Sequence, residues 1–294
     1  MKGTTKGENM NRRLTFVAVL VSVLAYGSPA WAQLIAAKDG PIVYGHHHVA
    51  TANIEEQKKF FVNTLGGQAI TIGTNKLEIV QFPNVLIFFR AQAPSGGTKG
   101  TSVNHIGFGV PNLRQAVDKI KANGYRMITR AEVAPAQQVV DDIAQVNADV
   151  SIAFVMGPDE VKVELVEDRK QTLPIMLHHV HFVGSENAEM QAWYIKVFGA
   201  KGRTTPNFLA ADLPGVALNF SASPDPVVGT RGRAVDHIGF EVKNLEAFCR
   251  RLEEMGIKLD VPYRKVPALN IGLAFITDPW GTYIELNEDL DKVS

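Results

Sequence analysis

The sequence predicts an α+β fold: four βαβββ-like modules, paired into two tandem domains. Three observations predict it. The chain repeats itself, each repeat passes from strand spacing to helical spacing and back, and all eight histidines fall at one place in the repeat. Residues 104–110, NHIGFGV, match residues 236–242, DHIGFEV, at five of seven positions and an offset of 132. Phe60-Phe61 with Leu65-Gly66 aligns with Trp193-Tyr194 and Phe198-Gly199 at an offset of 133. AFVMGPDEVKVEL (153–165) aligns with AFITDPWGTYIEL (274–286) at an offset of 121. The halves are therefore 41–168 and 175–290, joined at Gln171-Thr172-Leu173-Pro174.

The elements follow in order. Ile42 to Ala50 is an expected strand, and Asn53 caps an expected helix to about Leu65 that Gly66-Gly67 ends. Leu77 to Phe82 and Val85 to Arg90 are expected strands around a Pro83-Asn84 turn. Gly96 to Gly100 is glycine-rich and is expected to be a flexible lid. After the NHIGFGV run, Leu113, Ala116, Val117 and Ile120 have the i, i+3, i+4, i+7 spacing of one apolar helix face. Leu245, Phe248, Cys249 and Leu252 repeat that spacing, so the only cysteine stands where the other half has Val117 and packs in a core.

The composition is ordinary for a globular chain, with 46% hydrophobic and 20% charged residues. No basic run exists, which argues against nucleic-acid binding by phosphate neutralisation. A single cysteine rules out an intrachain disulfide or a thiolate zinc cluster. Residues 1–32 read as a cleavable secretory signal: Arg12-Arg13, the apolar run Leu14 to Ala25, then Ala30-Trp31-Ala32 before a cut at Gln33. The apolar run is too short for a stable membrane anchor, so no span is expected after cleavage. Cleavage leaves 26 basic and 29 acidic residues, a net charge of −3, on a chain expected in the periplasm or outside the cell.

The histidines are grouped three, one, three and one on the first strands of the four modules: His46-His47-His48, His105, His178-His179 with His181, and His237. Strand side chains alternate faces, so His46 and His48 share one face and His179 and His181 another, while His47 and His178 are expected to point away. Glu164 and Glu285 occupy matching places on the last strand of each half. Each half thus offers two imidazoles and a carboxylate, a facial set for a divalent metal with positions left open for substrate. Without thiolates the set favours no single ion among iron, manganese, zinc and other divalent metals. Grouped by halves, the expected ligands are His46, His105 and Glu164, then His179, His237 and Glu285. Lys162 precedes Glu164 on the same face and would repel an ion if it pointed inward.

These strands, the FF…LGG and WY…FGA helix ends and DPWGTYIEL resemble the vicinal oxygen chelate superfamily, which includes glyoxalase I, extradiol dioxygenases and bleomycin-binding proteins. The resemblance covers about 41–290 and implies modules paired around cupped mixed sheets, with ligands from first and last strands inside each cup. It implies a metal-dependent enzyme acting on a small oxygenated molecule that chelates the ion through adjacent oxygens, by dioxygenase-type or lyase/isomerase-type chemistry. His48 and His181 would act beside the metal as general base or hydrogen-bond donor, and Tyr283 would face the same site. Glyoxalase I resembles this plan but takes a fourth ligand at the place held here by Phe88 and Asn219, neither a carboxylate. Extradiol dioxygenases use further histidines that have no counterpart between His181 and His237 or beyond His237. The alternative reading is an exported small-molecule or drug-binding protein of the same fold, without catalysis.

Overall fold

The computed structural model describes residues 1–3 and 40–292, so the expected signal lies outside the described residues apart from its first three. The first module is β1 (Ile42–Thr51), α1 (Ile54–Lys58, continued by a π-helical turn over Lys59–Thr64), β2 (Gln68–Ile72), β3 (Leu77–Phe82) and β4 (Val85–Ala91). The second is β5 (Val103–Val110), α2 (Leu113–Ala122), β6 (Arg126–Met127), α3 (Thr129–Glu132), β7 (Val139–Val140), β8 (Ile143–Gln145), β9 (Ser151–Met156) and β10 (Lys162–Glu167). The third is β11 (Met176–Gly184), α4 (Asn187–Phe198), β12 (Lys201–Thr204), β13 (Leu209–Leu213) and β14 (Val216–Ala222). The fourth is β15 (Val235–Val242), α5 (Leu245–Glu254), β16 (Leu259–Val266), β17 (Ile271–Thr277) and β18 (Tyr283–Glu288).

Local chemistry sets these boundaries. The side chains of Asn53, Asn112 and Asn244 accept the N–H groups of Glu56, Gln115 and Ala247, capping α1, α2 and α5. Gly199 ends α4 at φ +70, a conformation that a side chain resists. The predicted faces of α2 and α5 bury Leu113, Val117 and Ile120, and Leu245, Phe248, Cys249 and Leu252. The Cys249 thiol is buried and its pKa rises to about 11 as a result, which fits packing rather than reactivity.

The strands form two mixed sheets, in the orders β16-β17-β18-β15-β1-β4-β3-β2 and β12-β13-β14-β11-β5-β10-β9-β8-β7. The seams are antiparallel: β1 against β15 in one sheet, β11 against β5 in the other. Modules therefore pair first with fourth and second with third, so each sheet draws on both sequence halves. A large core of buried apolar side chains from both sheets and their helices binds them together, with Phe82 4.8 Å from Phe108 and Phe198 4.4 Å from Phe240 between ring centroids.

Two long connectors make this exchange possible. Residues 92–102 leave β4 and residues 223–234 leave β14, and they run beside each other. Ser95 and Ser102 donate to the carbonyls of Gly232 and Val228, while Val228 and Ala234 donate to those of Gly100 and Gly96. Thr98 is buried and its N–H donates to the Glu160 carbonyl, and Arg233 Nε donates to the Gly97 carbonyl. The expected lid at Gly96–Gly100 is thus a pinned crossover, whose glycines let the chain pass against Arg233 and Glu160. Among the described residues no helix is long and apolar enough to cross a membrane.

Candidate metal centres

The exchange of modules regroups the predicted ligands. His46, His48, His237 and Glu285 converge in the sheet of the first and fourth modules, here the outer-module centre. His105, Glu164, His179 and His181 converge in the other sheet, the inner-module centre. In each group the four ligand atoms lie within 4.8 Å of one another. The grouping by halves is corrected: His46 joins His237 and Glu285, and His179 joins His105 and Glu164. The sequence offset placed the ligands on the right strands but carried no information about which modules share a sheet.

Donor spacing is that of a coordination shell. In the inner-module centre His105 Nε2 is 2.8 Å from Glu164 Oε2, His179 Nε2 is 3.1 Å from the same oxygen, and the two nitrogens are 3.2 Å apart. Two ligand atoms about 2.1 Å from one ion at a right angle stand about 3 Å apart. In the outer-module centre Glu285 Oε2 is 3.0 Å from His237 Nε2 and 3.3 Å from His46 Nε2, and His48 Nδ1 lies 2.7 Å from His237 Nε2.

Local backbone devices build this arrangement twice. β1 carries an extra residue at Gly45 and β11 at His178, each just before the first ligand histidine. The opposing strands carry extra residues at Asp236 and Asn104, each just before the second. These bulges bring the Asp236 carboxylate to accept from His237 Nδ1 at 2.6 Å and the Asn104 carbonyl to accept from His105 Nδ1 at 2.9 Å. A partner on Nδ1 fixes the ring and points the Nε2 lone pair at the centre. The glycine of each HIGF run completes the cradle. A Cβ on Gly239 would lie 2.0 Å from the His46 ring, and one on Gly107 2.1 Å from the His179 ring.

Electrostatics prepare the donors. Burial alone would raise the Glu285 carboxyl, but His46, His237 and His48 outweigh it and hold the pKa well below the usual range. His179 and His105 do the same for Glu164. Burial lowers His48 and His105 to about 4, leaving neutral imidazoles with lone pairs to share. Burial also depresses His237, yet the Asp236 and Glu285 carboxylates overcome it and raise its pKa. Both ring nitrogens of His46 are buried without a hydrogen-bond partner, a state that an ion on Nε2 would relieve. Donor chemistry, cradle and orphaned nitrogens together fit a divalent metal.

The cavities differ. The outer-module cavity, about 310 Å³, is lined by the ligands with Phe88, Phe275, Arg90, Arg264, Asn287 and aliphatic side chains. The inner-module cavity, about 490 Å³, contains Asn219, Ser221, Lys162 and Glu132. His181 shares a 2.8 Å hydrogen bond between its Nε2 and Ser221 Oγ. Lys162 points inward and is 2% exposed, but Glu132 holds its ammonium at 2.6 Å, so the expected repulsion is neutralised by a residue far away in sequence. His47 points away as expected and pairs with the Tyr44 hydroxyl at 2.9 Å. His178 does not: as the bulge residue it lines the inner-module cavity, with its Nδ1 2.8 Å from that of His179. Tyr283 stacks on Phe275 at 4.8 Å beneath the Arg231 guanidinium and is not among the residues lining the outer-module cavity.

Asp236, Asn104, Glu132 and Ser221 were not singled out in the sequence. The first two had a signal, since each HIGF run is preceded by a side-chain oxygen acceptor.

The family model of the Glyoxalase/Bleomycin resistance protein/Dioxygenase superfamily matches residues 43–165 and 176–286. Among solved structures, glyoxalase I from Zea mays is similar at a TM-score of 0.66 and 16% identity, covering 85% of this chain and 94% of that one. A mutant form of the same Zea mays enzyme gives 0.65 and 16%, covering 87% and 97%. A candidate dioxygenase from Bacillus subtilis gives 0.62 and 11%, covering 88% and 86%. At these identities the likeness shows the fold alone. No curated protein matches the chain.

Proposed function

Because the chain belongs to the Glyoxalase/Bleomycin resistance protein/Dioxygenase superfamily, we propose that it is a metal-dependent enzyme acting on a small oxygenated substrate that chelates a divalent ion through adjacent oxygens. The observation that carries this reading is the duplicated His-His-Glu cluster at coordination spacing, with a further histidine beside each. His46, His237 and Glu285 would hold one ion, and His179, His105 and Glu164 another. When bound, the metal supplies Lewis acidity, or dioxygen activation if it is redox-active.

The chain's own residues do the rest. His48 is the partly open member of its cluster, 24% exposed, and neutral near pH 7, so it accepts a proton from a bound hydroxyl. In the inner-module centre Ser221 fixes His181, which orients the substrate through its remaining ring nitrogen. Phe88 and Asn219 stand where a fourth carboxylate ligand would distinguish a glyoxalase I, which favours dioxygenase-type or other lyase and isomerase reactions over that one. Tyr283 supports the Phe275 wall. Residues 1–32 read as an export signal, which supports a mature enzyme that works in the periplasm or outside the cell.

The test is elemental analysis of the full chain, followed by a turnover screen on catechols, 2-oxoaldehyde adducts and CoA esters. Two metal equivalents, with turnover lost in His48→Gln or His181→Gln while metal is retained, is the expected result. A chain that binds no divalent ion at micromolar concentration contradicts the reading.

A further inference from the structure

The two centres have the same kinds of ligand and differ in the charge of their walls. Resting on the metal-centre reading above, we propose that the outer-module cavity selects an anionic chelating ligand, one bearing a carboxylate, and that the inner-module cavity selects a neutral one.

Two guanidinium groups line the outer-module cavity, Arg90 from β4 and Arg264 from β16. These strands lie on opposite sides of the ligand-bearing seam, so the cations bracket the site. Among the described residues Arg264 has no ion-pair or hydrogen-bond partner for its guanidinium. The nearest carboxylate to Arg90 is Asp236, at 3.8 Å. That carboxylate is already engaged, by His237 Nδ1 at 2.6 Å and the Gly232 N–H at 2.6 Å. Glu285 is the one carboxylate lining the cavity, and it serves as a ligand. Much of the remaining wall is aliphatic, including Leu77, Leu269 and Leu273; its one uncharged polar side chain besides the histidines among the described residues, Asn287, donates to Glu285 Oε1 at 2.8 Å and keeps a buried Oδ1 without a partner. Guanidinium pairs with carboxylate by two parallel hydrogen bonds, and an apolar surround strengthens the pairing.

The inner-module cavity is arranged the other way. Its one buried cation, Lys162, is held by Glu132, which also takes Lys99 at 3.2 Å. With Glu164 the cavity lining has two carboxylates against one lysine. Among the described residues each cavity has one buried amide oxygen with no hydrogen-bond partner, Asn287 in the outer-module cavity and Asn219 in the inner, but Asn219 stands at the place where the outer-module cavity has Phe88, and no unpaired cation shares its cavity. An unpaired acceptor in a cavity without a free cation suits a neutral ligand that donates a hydroxyl or N–H hydrogen.

The experiment uses the full chain with one centre disabled at a time: His179→Ala/Glu164→Gln leaves the outer-module centre, and His46→Ala/Glu285→Gln leaves the inner. Each variant is loaded with Mn²⁺ and titrated with oxalate and with oxamide, its neutral isostere, by calorimetry and water-proton relaxation. The ratio of oxalate to oxamide affinity should be at least tenfold higher at the outer-module centre. Arg90→Gln/Arg264→Gln, both exposed positions, should remove that difference without changing oxamide binding. The same titration on the otherwise unaltered chain guards against misfolded variants: two oxalate affinities there should merge into one on the arginine double substitution. Equal ratios at both centres with Mn²⁺ bound, or no effect of the arginines, would overturn this proposal alone. Failure of Mn²⁺ to bind to the unaltered chain would instead overturn the metal-centre reading and this proposal with it.

Discussion

The outer-module and inner-module centres use the same set of three histidines and one glutamate on equivalent strands, yet their surroundings have little in common. His237 is backed by the Asp236 carboxylate, His105 by the Asn104 amide. Phe88 faces one cavity and Asn219 the other. The comparison separates what a ligand set requires from what a substrate requires. Two bulges and a glycine recur in both sheets because they aim the imidazoles, whereas the walls are free to diverge.

The shared part breaks most severely. Gly239→Ala should abolish the outer-module centre and Gly107→Ala the inner one, because each new methyl would occupy the space of a ligand ring. Each should lower metal affinity at its own centre by about 100-fold or more and spare the other. Metal stoichiometry by elemental analysis checks this, and loss of both ions from either variant would show that the centres are coupled.

Next is the buried pair unique to the inner-module centre. Glu132→Gln leaves the Lys162 ammonium with no carboxylate in hydrogen-bond reach, and should destabilise the fold by about 2–3 kcal/mol in urea denaturation. A change under about 0.5 kcal/mol would mean that the ammonium finds solvent or another partner.

A pH dependence should distinguish the outer-module sheet. Glu241 is buried, and burial with Asp291 nearby raises its carboxyl to about 8 despite N–H groups from Asp289 and Leu290. The fold holds that proton more tightly than the unfolded chain does. The stabilisation is therefore complete below the ordinary value of 4.5 and is lost as pH rises through 8. The loss between pH 5 and 9 should be on the order of 4 kcal/mol, and Glu241→Gln should flatten it, measured as Tm across that range. Its counterpart in the other sheet is Gly109, which cannot titrate.

The mildest change exchanges the backing groups. Asp236→Asn should weaken metal at the outer-module centre by about tenfold, and Asn104→Asp should strengthen it at the inner one by a similar factor. Isothermal titration with Zn²⁺ measures both, and shifts of the same sign would separate the backing group from ligand basicity.

Much of this was legible in the sequence because it is local and repeated. The HIGF runs, the asparagine caps and the apolar helix faces each act within a few residues, so their spacing survives as pattern. The grouping of ligands was not legible. It depends on which seam closes, and that is decided by the hydrogen bonding of residues 92–102 to 223–234, between segments over 100 positions apart with no shared motif. The face of His178 is hidden for a related reason: strict alternation holds only in an unbroken strand, and β11 bulges at that residue. The neutralisation of Lys162 is not legible in the sequence either, because its partner, Glu132, lies 30 residues away.

The central claim, that each centre is assembled across the two sequence halves, is tested most directly by counting metal in two double variants. His46→Ala/Glu285→Gln removes two ligands from one centre, whereas His46→Ala/Glu164→Gln removes one ligand from each. The first should retain one full metal equivalent, and the second should lose tight binding at both centres. The reverse outcome, with His46→Ala/Glu164→Gln keeping one intact centre and His46→Ala/Glu285→Gln damaging both, would mean that the ligands assemble within each half and would contradict the exchange.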